Sequence, residues 1–171
     1  MQPNFSPFPY IITQRLSLRP ISLDDDQALF FHRTDPEMNQ YIERARPNHV
    51  SEVRAFIQML IDNTEKNESI FWAISLKNRP ELIGTICLWN LKPEEASAEV
   101  GYAMHPDFQG RGYMQEALDH VMNYGYNTLK ANTLKAYVHR DNAPSIRVLE
   151  NHGFVQAGSK DEFEAYVRSE K

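Results

Sequence analysis

At 171 residues the chain has the length of one domain and buries a core without needing staples. Apolar residues make up 42% and charged residues 24%, which excludes a disordered chain. With 18 basic against 23 acidic residues the net charge is −5; this excludes the basic face of a sequence-independent nucleic-acid binder and suits cationic partners such as amines. The one cysteine, Cys87, forms no internal disulfide and lies in the apolar run 82–88, as expected of a small core residue. Residues 1–10 carry no basic or apolar signal segment, and no apolar run reaches the roughly 18 residues of a membrane span. The expectation is a cytoplasmic protein.

Residues 1–9 hold three of the ten prolines and read as an irregular arm, 1–10, ahead of a single domain, 11–171. Residues 11–19 end in an alternation, Leu16 and Leu18 against Ser17 and Arg19, which predicts a strand stopped by Pro20. Ser22 followed by Asp24 and Asp25 is an N-cap with an acidic first turn and predicts a helix to about residue 32. Asp35-Pro36 marks a turn. Apolar residues at 50, 53, 56, 57, 60 and 61 form a helical stripe over 50–64. A meander of three strands follows, 71–76, 82–89 and 98–104, with Trp72 and Trp89 expected to pack against helices. A turn-rich loop, 105–112, leads into a helix over 113–129 with apolar residues at 114, 117, 118, 121 and 122. Residues 133–138 read as a strand, 143–151 as a short helix ended by Gly153, and 154–157 with 163–167 as a closing hairpin. The order β-α-α-β-β-β-α-β-α-β-β is an α/β domain with a mixed sheet.

The informative segment is Gln109-Gly-Arg-Gly-Tyr-Met114, which follows a strand and opens a helix. Gly110 and Gly112 permit a tight turn and close backbone approach to a ligand. The first N–H groups of a helix have no intrahelical partners and carry about half a positive charge, which suits phosphate. Arg111 adds a charge-assisted contact. The dinucleotide fingerprint fails where its third glycine would fall, at Gln115, and no P-loop occurs. Taken alone, the segment is either a phosphate cradle or only a tight turn.

Gln109-Gly-Arg-Gly112 resembles the acetyl-CoA signature of the GNAT N-acetyltransferases, Q/R-x-x-G-x-G/A, with Met114 at the sixth position. Glu99-Val-Gly-Tyr102 before it, Asn142-Ala-Pro-Ser145 and its continuation to Phe154 after it, and Thr13-Gln-Arg-Leu16 and its continuation to Pro20 match further segments. Together they resemble the RimJ/RimL-like branch over about residues 13–167. The resemblance implies a central mixed, mostly antiparallel twisted sheet of about seven strands, flanked by about four helices and splayed at the cofactor-binding strand, after Met104, with Pro106 unable to donate a ladder bond. It implies an N-acetyltransferase that moves the acetyl group of acetyl-CoA to a protein N-terminal amine or a small amine, by direct attack in a ternary complex. It also implies a monomer or homodimer with no nucleic-acid, membrane or metal partner. The competing class is a non-catalytic acyl-CoA-binding module; Asn142 and Ser145 favour the enzyme, since phosphate binding needs neither. By the same resemblance the pyrophosphate lies on Gly110, Arg111, Gly112, Tyr113 and Met114, after Gln109. The pantetheine arm pairs with the preceding strand at Tyr102 and Met104, and Asn142 contacts that arm. As a bare residue Asn142 is equally a helix N-cap.

An alkyl ammonium titrates near pH 10 and must lose its proton before its nitrogen can attack. Glu99, on the strand before the cofactor loop and alternating with Gly101, is the candidate base; the other reading is a solvated carboxylate on a strand face. Many GNAT members carry a tyrosine seven residues after the asparagine, where this chain has Leu149, which donates no proton. Ser145, three residues after Asn142, is typical of the RimJ/RimL-like branch. Its hydroxyl either bonds the thioester sulfur or relays a proton through water, or it only fills the first turn of a helix. The six histidines show no H-x-x-x-H pair and are expected as surface or capping groups. Acceptor specificity is expected from residues 23–64 and the closing hairpin.

Overall fold

The computed structural model describes residues 1–170. Its strands are β1 (Ile11–Ile12), β2 (Leu16–Pro20), β3 (Ile70–Leu76), β4 (Gly84–Lys92), β5 (Ser97–Met104), β6 (Thr133–His139), β7 (Val155–Lys160) and β8 (Phe163–Ser169). Its helices are α1 (Asp26–Thr34), α2 (Val50–Glu65), α3 (Tyr113–Asn127) and α4 (Ala143–Asn151). One sheet runs β1-β2-β3-β4-β5-β6-β8-β7. Every neighbouring pair is antiparallel except β5 and β6. That parallel pair follows from the α3 crossover, because a hairpin cannot join parallel strands. The mixed, mostly antiparallel α/β sheet is the one expected, with eight strands in place of seven.

The extra strand comes from a contact the local sequence does not announce. Thr13 breaks the expected strand over 11–19: its N–H donates to the Leu16 carbonyl at 3.0 Å. Glu116 of α3 holds the turn, accepting from Thr13 Oγ1 at 2.5 Å and from the Arg15 N–H at 2.8 Å. Ser22 does cap, but it caps a short 3-10 turn, Leu23–Asp25, so α1 begins at Asp26. The Asp25 carboxylate accepts from the Ser22 N–H at 2.9 Å and from Arg19 at 2.9 and 2.7 Å.

Strand alternation divides the core in two. Trp72, Ile74, Ile86, Leu88 and Val100 face α3, which lays down Ala117, Leu118, Val121 and Met122. Ala73 belongs to the opposite core, with Leu29 of α1 and Val53, Ile57 and Leu60 of α2. Each fully buried side chain of leucine size contributes about 1.5–3 kcal/mol. Trp72 is fully buried, edge-on to Tyr124 at 5.5 Å, and donates to the Pro9 carbonyl at 2.8 Å. Residues 1–10 form no helix or strand, yet Phe5 is part of the α3-side core.

Three expectations need correction. Trp89 is 49% exposed, because the α1–α2 layer packs on β3 and leaves that end of β4 open. Cys87 is only half-buried, on the face that carries Trp89; burial of its sulfur pushes the thiol up to about 12. His32 is neither a surface nor a capping group: it is buried under α1, and neither ring nitrogen has a partner. Among the described residues no helix is long and apolar enough to cross a membrane.

Candidate active site

β5 is paired unequally along its two edges. It pairs with β4 from Glu99 to Met104, and again through Ser97. With β6 it pairs only at Ser97, Ala98 and Glu99, opposite Thr133, Leu134 and Lys135. β6 meanwhile pairs with β8 along its whole length, from Thr133 to His139. The sheet therefore splits after Glu99, not after Met104 as expected, because β6 leaves β5 to pair with β8 while β5 continues along β4; the β6-facing edge of residues 100–104 has no ladder partner. Backbone N–H and C=O groups need partners, and a ligand that carries amides supplies them by adding itself as a strand.

The glycine loop lies at the wide end of this split. Gly110 has φ 71° and Gly112 has φ 78°, the left-handed region that favours glycine. Gly112 is the N-cap of α3 and bears no side chain to cap it, so the first amides of α3 lack a side-chain acceptor. The Gln109 side-chain amide donates to the Met104 carbonyl at 2.9 Å and ties the loop to the end of β5. Arg111 is exposed, with its guanidinium 5.9 Å over the Phe108 ring. The sequence gives no signal for Arg15, which braces the loop from β2's side. Its guanidinium donates to the Arg111 carbonyl at 2.9 Å, pairs with Glu116 at 2.6 Å and lies 4.5 Å over the Tyr113 ring. Burial alone would raise the Glu116 carboxyl, but the bonds from Thr13 and Arg15 outweigh it and hold the group below its ordinary value.

A cavity of about 570 Å³ gathers Tyr102, Met104, Gln109, Gly110, Gly112, Tyr113, Met114, Asn142 and Ser145. Arg111 and Glu99 stand outside its lining. Asn142 caps α4 as expected, accepting from the Ser145 N–H at 3.3 Å. The lining also includes Arg147 of α4 and Glu37, Met38, Gln40, Tyr41 and Ile42 from the α1–α2 connection. That connection has no hydrophobic period to read; the Tyr41 ring lies tilted against His139 at the end of β6, with centroids 5.2 Å apart. A second hollow, about 720 Å³, lies between α3 and the β7–β8 hairpin, but none of the expected site residues lines it.

Two polar groups flank the split. The Ser145 hydroxyl donates to Tyr102 Oη at 3.0 Å, and the Tyr102 phenol in turn donates to the Ser145 carbonyl at 3.2 Å. Burial pushes the Tyr102 phenol up to about 12, against the opposing pull of its Ser145 bond. Glu99 is 8% exposed and sits on the other face of β5, across from Trp89 on β4 and Lys135 on β6. Its Oε1 accepts from the Asn90 side-chain amide at 2.5 Å, where β4 carries a bulge and Asn90 has φ 44°. Glu99 and Ser145 are thus not neighbours in one pocket; they lie toward opposite faces of β5.

Residues 15–155 match the profile of the acetyltransferase (GNAT) domain family. The chain is a GNAT acetyltransferase. This acetyltransferase is 31% identical over 154 residues to p20 of Bacillus licheniformis, called an uncharacterized N-acetyltransferase, covering 90% of this chain and 86% of p20. It superposes on an acetyltransferase from Agrobacterium tumefaciens with TM-score 0.79 and 25% identity, over 95% of each chain. RimL, a ribosomal-protein α-N-acetyltransferase solved with coenzyme A, shares the fold at TM-score 0.83 and 20% identity, over 94% of this chain and 98% of RimL. Acetyl-CoA is the acetyl donor of GNAT acetyltransferases and of this one.

Proposed function

We propose that this acetyltransferase acetylates a primary amine, on a protein N-terminus or a small molecule, by direct attack, with Glu99 as base and Ser145 facing the leaving sulfur. The observation that carries the reading is the split after Glu99, which joins an unpaired strand edge, an uncapped helix N-terminus and Ser145 in one cavity. The donor supplies an activated acetyl thioester. The free edge at Tyr102 and Met104 pairs with its pantetheine arm, and Asn142 reaches the same arm. The backbone from Gln109 through Gly110, Arg111, Gly112 and Tyr113 to Met114 holds its pyrophosphate.

Glu99 is the last residue of β5 that still pairs with β6, so it stands where the split begins. The amine approaches from that face and meets the thioester through the gap. Asn90 holds one carboxylate oxygen, which leaves the other for the ammonium or a bridging water. Both the ribosomal-protein enzyme RimL among the structural neighbours and the net charge of −5 argue for cationic amines in the acceptor screen, with peptides included. The test is thiol release from acetyl-CoA against a panel of N-terminal peptides, polyamines and simple alkylamines. Release with a subset of amines and none with matched alcohols is the expected result. Equal release with and without amine overturns the reading.

A further inference from the structure

We propose that Tyr102 is a positioning residue that aims the Ser145 hydroxyl at the leaving sulfur, through the hydrogen bond the two side chains make across the cleft. The inference rests on the Ser145 reading above. Tyr102 belongs to the unpaired stretch of β5, Ser145 to the first turn of α4, and their oxygens are 3.0 Å apart. Ser145 is itself fixed by Asn142, whose side chain accepts its N–H at 3.3 Å. Both residues line the same cavity.

A serine hydroxyl has one proton to give. While Ser145 donates to Tyr102, that proton is turned away from the cleft. If the phenol donates to Ser145 Oγ instead, the serine proton is free to point at sulfur. The swap needs only two hydroxyl rotations, because Tyr102 Oη already lies within reach of both the Ser145 hydroxyl and carbonyl. The buried phenol, pushed up to about 12, keeps its proton through the neutral and mildly alkaline range and stays a donor. It is also too weak an acid to surrender that proton to a thiolate whose thiol titrates near 8.5. No proton therefore passes along the chain of bonds. The amine nitrogen forms the new C–N bond, the C–S bond breaks, and the electron pair stays on sulfur. The amine proton leaves through Glu99 to solvent, and the thiolate takes its proton from solvent. Ser145 and Tyr102 end with the protons they began with. A hydrogen bond to a charged acceptor is about twice as strong as a neutral one, and a donor behind it strengthens it further.

The test needs no acceptor. Calorimetry measures the affinity of CoA and of desulfo-CoA, which lacks the sulfur, from pH 7 to pH 10. The ratio of the two affinities isolates the sulfur and cancels any general change in binding. In the wild type the ratio rises about tenfold across this range, equivalent to a bound thiol about one pKa unit below the free one. Tyr102→Phe, which keeps the ring, cuts the rise to about threefold, Ser145→Ala abolishes it, and the double variant matches Ser145→Ala. A full rise in Tyr102→Phe overturns the proposal. So does a double variant that loses as much relative to Ser145→Ala as Tyr102→Phe loses relative to wild type. A full rise in Ser145→Ala removes the Ser145 reading and the proposal with it, and a wild type that fails to bind desulfo-CoA removes the cleft assignment beneath both.

Discussion

Tyr102 and Met104 leave β5 on one side of the sheet and Glu99 and Gly101 on the other, and the two sides are built differently. On the first side the space is partly enclosed: α3, α4, the glycine loop and the α1–α2 connection line it, and a phenol bridges to Ser145. The second side is open at Trp89. A side chain at Gly101 would press to 3.3 Å from the Cys87 sulfur, and the neighbouring Trp89 is half-exposed. The difference teaches how one strand with a period of two serves two substrates. In our reading the donor is gripped on the enclosed side and the amine is deprotonated on the open side, so lesions on the two sides should separate donor affinity from proton removal.

The largest separation is expected at Glu99. Glu99→Gln keeps the shape and the bond from Asn90 but accepts no proton. It should lower kcat/KM at neutral pH by about 10²–10⁴-fold, less at high pH where solvent deprotonates the amine, with acetyl-CoA affinity nearly unchanged. A pH–rate profile at two ionic strengths checks it; a defect only in acceptor KM that fades with salt would make Glu99 an attractor of cations and not a base.

His32 tests the open side through stability. Burial, then the neighbouring His105 and Arg44, lower its imidazole to about 4, with Asp35 opposing. The folded protein therefore stays unprotonated there while the unfolded chain takes up a proton below its ordinary 6.5. Stability from this group is present above pH 6.5 and is lost as pH falls toward 4, by about 3 kcal/mol over the window. In urea melts between pH 7 and pH 4 the wild type should lose about that amount of stability relative to His32→Leu. Curves that stay parallel would show that His32 takes up its proton as readily in the fold as in the unfolded chain.

On the enclosed side, Gly112→Val forces a β-branched residue into φ 78°, with its Cβ 3.4 Å from the Arg15 guanidinium. CoA affinity should fall by about 10–100-fold, since the loop backbone must shift by about 1–3 kcal/mol of strain. Calorimetry on the folded variant with unchanged affinity would detach the loop from the pyrophosphate. The smallest effect is expected from Glu116→Gln, which removes the charge that Arg15 pairs with and should cost about 1 kcal/mol at pH 7. Because the Glu116 carboxyl is lowered in the fold, this contribution exists above its ordinary carboxylate range and fades as pH falls through the lowered value. Thermal melts at pH 7 and pH 3 should therefore show the variant's deficit shrinking in acid.

What the sequence disclosed was what depends on near neighbours. Gly110 and Gly112 adopt the left-handed backbone that their residue type invites, and Asn142 caps α4 across three residues. The alternation of Leu16 and Leu18 placed both in the core. Contacts between distant residues were hidden. Glu116 cuts the first strand in two from about a hundred residues away, and Tyr102 meets Ser145 across 43. Period two says which face a strand residue takes, but not where its partner strand departs, so the exposure of Trp89 and the lack of a pairing partner beyond Glu99 had no local signature. The segment from Glu37 to Ile42 lines the cleft without any pattern that a window of sequence could show.

The unequal pairing of β5 also sets how its amides trade hydrogen with water. Along residues 100–104 successive N–H groups point alternately toward β4 and toward the gap. Those directed at β4 are locked in a ladder at the centre of the sheet and exchange only when it opens globally, whereas their neighbours have no ladder acceptor. A strand that is internal by position thus carries fast and slow amides in turn. If the donor arm pairs with the free edge as we propose, the fast set should slow and the slow set hardly change, so that β5 itself would record occupancy of the cleft one amide at a time.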